Sequence, residues 1–241
     1  MNPTPPIISS EWLLVFATEL EWTEVRKHLS EGTLDSYAGV LITGIGTLNA
    51  AMSLTRALEA RVGQQLPLPG ILNVGIAGAP ETGRFRLGKS CVASQEWLAD
   101  CGVLTADATH PIEEIGIPLY PEQPEPWNSV PVSSVPSEAV SKALGIPLCP
   151  FFTVNAVSGD KEIAVRRSKE FPGALENMEG AALAYVAQQF GARFVEIRAI
   201  SNWLGDRDKS RWEFAKCFRS LADALTELVS KEPIRLEGLD S

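Results

Sequence analysis

"PGILNVGIAGAP", residues 69–80, decides the fold. Ile71, Leu72 and Val74 form a run too short for a helix, bounded by Pro69-Gly70 and Pro80. Such a run reads as a strand buried on both faces, and the glycines behind it read as a loop at its carboxyl end. The same pattern recurs on either side. "WLLVFA" (12–17) is a short apolar strand, and "ELEWTEVRKHL" follows it with helical spacing. "GVLITGIG" (39–46) is a strand running into a glycine turn, followed by the helix "TLNAAMSLTRALEAR". "GKSCVASQEWLAD" reads as a fourth strand.

Residues 105–150 break the rhythm, with many prolines and only a short helix expected near 136–144. Beyond them "FFTVNAVSG" is a strand, "KEIAVRRSKEF" a helix, "GALENM" a strand and "EGAALAYVAQQFG" a helix with Gly191 at C′. "RFVEIRAISN" (193–202) is a strand and "SRWEFAKCFRSLADALTELVSK" a closing amphipathic helix. Alternation of this kind predicts one α/β domain over 1–241, a three-layer α/β/α sandwich on a central, mostly parallel or mixed sheet. About ten residues at each end, 1–10 and 232–241, read as loose termini.

Composition narrows the function. A net charge of −9 disfavours a nucleic-acid surface, which needs clustered Lys and Arg. Four cysteines without C-x-x-C spacing and only two histidines give no ready metal site, so neither metal nor other cofactor is expected. The N-terminal stretch does not resemble a signal peptide, and no apolar run reaches about 18 residues. The expectation is a cytoplasmic protein with free thiols, no membrane contact and a small-molecule partner.

"TGIG" and "NVGIAG" are not G-x-G-x-x-G in frame, and no G-x-x-x-x-G-K-[ST] occurs. Each alone reads as a tight strand-to-helix turn. Together they bring bare backbone to one edge of the sheet, where open α/β sheets bind ligands. Glu19 and Glu21 follow the first strand, either as solvated acids at a helix N-terminus or as a carboxylate able to act as general base. Asn202 closes "RAISN", as a turn residue or as an amide reading a heterocycle edge. "WLGDRDKSRW" carries two tryptophans in a charged loop, a hint that something packs there. Glu179 in "ENMEGAALAYV" (176–186) is the sharpest anomaly, a glutamate among small residues built for burial. Either a distant arginine such as Arg198 pairs with it, or its partner is not part of the protein.

"FATELEWTEV", "GIGTLNAA", "NVGIAGA", "VSGD", "ENMEGAALA" and "RAISN", in this order, resemble the purine nucleoside phosphorylase and methylthioadenosine/S-adenosylhomocysteine nucleosidase superfamily over roughly residues 12–230. "ISNWLGDRDKSRW" resembles its futalosine hydrolase branch. The resemblance implies a hydrolase that splits hypoxanthine from the ribose of futalosine, with water as nucleophile; the alternatives are a methylthioadenosine or aminodeoxyfutalosine nucleosidase, or a nucleoside-binding protein without catalysis. It implies Glu21, Glu179 and Asn202 as the catalytic set: Glu21 activating water, Glu179 on the ribose diol, Asn202 on the base. It implies Met178 as the sugar floor, and Ala77, Gly78, Ile163, Asn177, Trp203 and Arg207 as further substrate contacts. Phosphorolysis is disfavoured because Glu19 and Glu21 would repel phosphate. Asn can donate to O6 and accept from a protonated N7, which suits hypoxanthine, whereas relatives that cleave adenine carry Asp. Where many relatives stack an aromatic on the base, this chain has Glu162 followed by Ile163, so that stacking comes from Trp203 or Phe152 or is absent. Arg207, with Arg211 second, is the candidate for a carboxylate on the 5′ side of the substrate; a surface pair with Asp208 is the bland alternative. Relatives are homodimers or larger, which implies a homo-oligomer here, with residues 105–150 a candidate contact.

Overall fold

A computed structural model describes residues 12–105, 109–116, 119 and 129–230. The expected loose termini lie outside these, as does much of the proline-rich stretch. The chain runs β1 (Trp12–Phe16), α1 (Glu19–Arg26), β2 (Gly39–Ile42), α2 (Thr47–Gly63), β3 (Gly70–Ala79) and β4 (Ser90–Leu98). A short hairpin, β5 (Gly102–Leu104) and β6 (Thr109–Pro111), then precedes β7 (Ser129–Val130) and α3 (Ser134–Leu144). The rest is β8 (Leu148–Thr153), α4 (Lys161–Glu170), β9 (Leu175–Asn177), α5 (Gly180–Gln189), β10 (Phe194–Trp203) and α6 (Phe214–Ser230).

The sheet is mixed and helices cover both faces. Ala50, Leu54 and Leu58 of α2 join Leu183, Ala184 and Ala187 of α5 in one core layer. Val25 of α1, Val140 of α3 and Leu221, Leu225 and Leu228 of α6 build the other. Burial of these branched side chains on both faces is what holds a largely parallel sheet together. The sheet also curls further than a flat sandwich. β3 pairs with β10 and β9, β10 with β4, β4 with β8, and β8 with β9, so five strands close on themselves. β1 and β2 extend from β3 outside that ring.

The opening segment behaves differently from its sequence expectation. β3 continues straight through Gly75 and Gly78 to Ala79, so these glycines are strand residues and not a turn. The reason is close approach. A Cβ at Gly75 would lie 2.6 Å from an Arg198 guanidinium nitrogen and 3.0 Å from Glu21 Oε1. "TGIG" is a turn as expected, with Gly44 and Gly46 both at φ +89°. Gly191 takes φ +67° just after α5, the expected C′ conformation.

Candidate active site

β3 pairs with β1 as far as Asn73 and with β9 only at Gly78. Between them the Ile76 N–H has no strand partner on that side. It donates instead to Glu21 Oε1 at 3.2 Å. A cavity of about 300 Å³ opens over this gap.

Glu21 reaches the gap because α1 starts with a capping box. Thr18 Oγ1 accepts from the Glu21 N–H at 3.1 Å, and Glu21 Oε2 accepts from the Thr18 N–H at 3.1 Å. T-x-x-E at 18–21 was a readable signal for this, beyond the acid-rich first turn. Glu21 is buried, whereas Glu19 two residues earlier is exposed to solvent. Burial lifts the Glu21 pKa above the ordinary carboxylate value; Arg198 and the Thr18 bond oppose this, and the Glu179 charge adds to it. A carboxylate so tuned is a better proton acceptor than a free one.

Glu179 sits at the N-cap of α5, and its burial has two explanations inside the chain. Oε2 lies 3.3 Å from Arg198 Nη2, and Oε1 accepts from the Gly46 N–H at 3.0 Å. The distant-arginine alternative therefore holds. It does not exhaust the carboxylate, which still lines the cavity beside Met178. Arg198 is itself buried and bonds Glu196 Oε1 through Nε at 2.8 Å and the Ile76 carbonyl at 3.2 Å. Burial works against its charge, but Glu196, Glu179 and Glu21 together raise its pKa. From the sequence Arg198 reads only as a structural partner; in the structure its guanidinium borders the cavity, pairs with Glu179 and acts on Glu21 through its charge.

Asn202 closes the cavity at the end of β10, where a bulge between Ile200 and Asn202 shifts the register against β3. Its Nδ2 donates to the Trp203 carbonyl at 2.9 Å, and its Oδ1 lies 2.8 Å from Ser201 Oγ. These partners fix the amide, since a flipped one would set two acceptors face to face. One N–H and one lone pair remain for a ligand.

Of the other expected contacts, Ala77, Gly78, Asn177, Met178 and Arg207 line the same cavity. The Asn177 side chain is committed elsewhere: Oδ1 accepts from the N–H groups of Glu179 and Gly180, and Nδ2 donates to Glu96. It shapes the site by starting α5. Ile163 and Trp203 do not line the cavity. Ile163 lies in the first turn of α4, where Asp160 caps its N–H, and Trp203 borders a separate cleft with Lys161 and Arg211. Phe152 is wholly buried, stacked on Phe171, and does not line the cavity. The aromatics on the cavity are Trp212, Phe214 and Phe218. The two-tryptophan loop signalled this, but spacing could not say which tryptophan turns inward.

Arg207 lies with its guanidinium carbon 5.0 Å from the centre of the Trp212 ring. Asp208 pairs with Arg211, which also binds Asp206 at 2.7 Å. The Arg207–Asp208 pair is therefore not formed, and Arg207 has no carboxylate partner among the described residues. Among those residues no three of His, Cys, Asp or Glu cluster as a metal site would need.

A family model described as the phosphorylase superfamily matches residues 9–231. The chain belongs to that superfamily. Within it, futalosine hydrolase of Thermus thermophilus is 32% identical over 228 residues, covering 92% of this chain and 96% of that protein. Futalosine hydrolase of Streptomyces coelicolor is 32% identical over 192 residues, with 78% and 77% covered. The futalosine hydrolases are thus relatives along most of the chain. In fold, the chain is similar to a methylthioadenosine/S-adenosylhomocysteine nucleosidase from Colwellia psychrerythraea, solved with adenine. It aligns with a TM-score of 0.74 at 18% identity, covering 97% and 99% of the two chains. Native futalosine hydrolase of Helicobacter pylori aligns at 0.70 and 19% identity, covering 92% and 98%. At such identities the structural likeness speaks for the α/β fold.

Proposed function

We propose that this protein hydrolyses the N-glycosidic bond of futalosine, releasing hypoxanthine. The observation that carries the reading is the convergence of Glu21, Glu179 and Asn202 on one cavity from three distant parts of the chain. The identity with curated futalosine hydrolases supports the choice of nucleoside.

In this reading Glu21 holds a water at the gap beside Ile76 and takes its proton as the oxygen attacks C1′. The bond from C1′ to the purine breaks, and its electron pair leaves with the base. Positive charge builds on the sugar next to Glu179, which accepts from the ribose hydroxyls and stabilises it. Met178 packs beneath the ring. The free N–H of Asn202 meets O6, and its free lone pair accepts from N7 once solvent has protonated it, so that the base leaves neutral. Phosphate is a poor competitor for water, because the carboxylates of Glu21, Glu176 and Glu179 line the cavity. Glu19 contributes nothing to that repulsion, since it faces solvent. Arg207 on Trp212 supplies a cation for the carboxylate on the 5′ side.

The protein works in a reducing cytoplasm, a reading supported by its four free cysteines. It works as a homo-oligomer, supported by exposed apolar side chains around the turn into α2: Ile45 lines the cavity and is 56% exposed, and Leu48, three residues on, is 86% exposed. A second copy covering them would close the site from water.

Incubation with futalosine, aminodeoxyfutalosine, methylthioadenosine and inosine in phosphate-free buffer, with chromatography of the released base, tests the reading. Hypoxanthine from futalosine at the highest kcat/KM supports it; preferential release of adenine, or no base at all, overturns it.

A further inference from the structure

Behind the cavity two more glutamates are wholly buried, and no step above uses them. Glu96 comes from β4 and Glu196 from β10. Glu196 Oε1 accepts from Asn73 Nδ2 at 2.9 Å and from Arg198 Nε at 2.8 Å. Its Oε2 is buried and has no donor among the described residues. Glu96 Oε1 accepts from Asn177 Nδ2 at 2.6 Å, and Oε2 accepts from Thr153 Oγ1 at 2.9 Å.

The two carboxyls converge on Gly180, the residue after the Met-Glu pair. A Cβ there would strike Glu96 Oε1 and lie 2.5 Å from Glu196 Oε2. Two ionised carboxylates in such a space repel, whereas a proton between them turns repulsion into a hydrogen bond. The charge balance agrees. Glu21, Glu96, Glu179 and Glu196 are all buried here, and among the described residues the one cation paired with them is Arg198. Four anions around one cation would leave a large uncompensated charge in the interior.

We propose that Glu96 and Glu196 share one proton and act as a positioning pair for the hydrolysis: they fix Arg198 and the start of α5, and through both they aim Glu179 into the cavity. Glu96 Oε1 donates to the otherwise empty Glu196 Oε2 while still accepting from Asn177. Burial, followed by the charge of Glu196, holds the Glu96 proton well above the ordinary carboxylate range. One arm runs from Glu196 to Arg198 Nε and on to Glu179 Oε2. The other runs from Glu96 through Asn177 to the N–H groups of Glu179 and Gly180. Glu179 is thus gripped at its side chain and its backbone by the two halves of one acid pair. This role rests on the proposed reaction.

Infrared difference spectroscopy at neutral pH, wild type against Glu96→Gln, reads the proton without reference to activity. The expected result is loss of a protonated-carboxyl carbonyl band. Loss of carboxylate bands alone would show Glu96 ionised and overturn the pair. Kinetically, Glu96→Ala lowers kcat on futalosine by up to about 10²-fold through misplacement of Glu179. KM changes by less than about threefold, the mark of an interaction expressed in the transition state. Glu96→Gln, which returns a donor toward Glu196, recovers part of that loss. Wild-type kcat in Glu96→Ala overturns the positioning role, and if that variant does not fold the infrared arm decides. Failure of the wild type to release any base would sink the reaction and leave the spectroscopic result standing.

Discussion

Gly75→Ala adds one methyl group inside β3 and nothing else. The new Cβ would lie 2.6 Å from Arg198 Nη1 and 3.0 Å from Glu21 Oε1. To reach an ordinary contact of 3.4 Å the guanidinium must retreat by roughly 0.8 Å. It cannot do so alone, because it also holds Glu196, Glu179 and the Ile76 carbonyl. The strand cannot easily yield either, since β10 pairs with it at this register, Arg198 against Gly75. Overpacking of this kind costs about 1–3 kcal/mol of stability. A shift of roughly 0.8 Å in Arg198, passed on to Glu179, together with about 0.4 Å in Glu21, is worth up to about 10²-fold in turnover. The assay is hypoxanthine release from futalosine by purified Gly75→Ala, beside its melting temperature. Gly83→Ala is the control, because a Cβ there meets nothing within 4 Å. A folded Gly75→Ala protein with wild-type kcat would refute the claim that bare backbone at this position holds the catalytic carboxylates.

Glu21→Gln abolishes turnover while ligand binding, read by calorimetry with futalosine, persists. In the wild type the acid limb of kcat/KM falls above 4.5, because burial raises the Glu21 pKa from that value. A raised folded-state pKa means the native state holds this proton more tightly than the unfolded chain. The stabilising contribution of Glu21 is therefore full at low pH and lost as pH rises through the raised value, and Glu21→Gln removes that dependence in thermal melts. Asn202→Asp moves kcat/KM from hypoxanthine toward adenine nucleosides, because an Asp facing the Trp203 carbonyl must hold a proton there and can still accept from N6. Arg207→Met raises KM for futalosine about tenfold or more and leaves inosine, which lacks the carboxylate, unaffected.

Much of this was legible in the sequence, for reasons that differ by residue. Glu179 stood out because a glutamate among alanines needs a partner, and the structure supplies Arg198 and Gly46. Period and glycine placement located the strands and helices, since each apolar run is short and each helix has its own buried stripe. The glycines of β3 read locally as a loop, yet they are strand residues. Their role is to admit side chains from β10 and α1, and contacts between distant segments leave no mark in local spacing. Trp203 and Trp212 flank one loop and look alike in sequence; only the path of that loop turns the second toward the cavity. The acid pair was invisible for the same reason. Glu96 and Glu196 sit in ordinary strand patterns 100 residues apart, and the antiparallel pairing of β4 with β10 brings their strands side by side.

Turnover of futalosine in ¹⁸O-labelled water, with and without added phosphate and with mass analysis of the sugar product, tests the central chemistry most directly. One labelled oxygen at C1′, at the same rate with or without phosphate, is the predicted result. A sugar phosphate, or a rate that depends on phosphate, would contradict it.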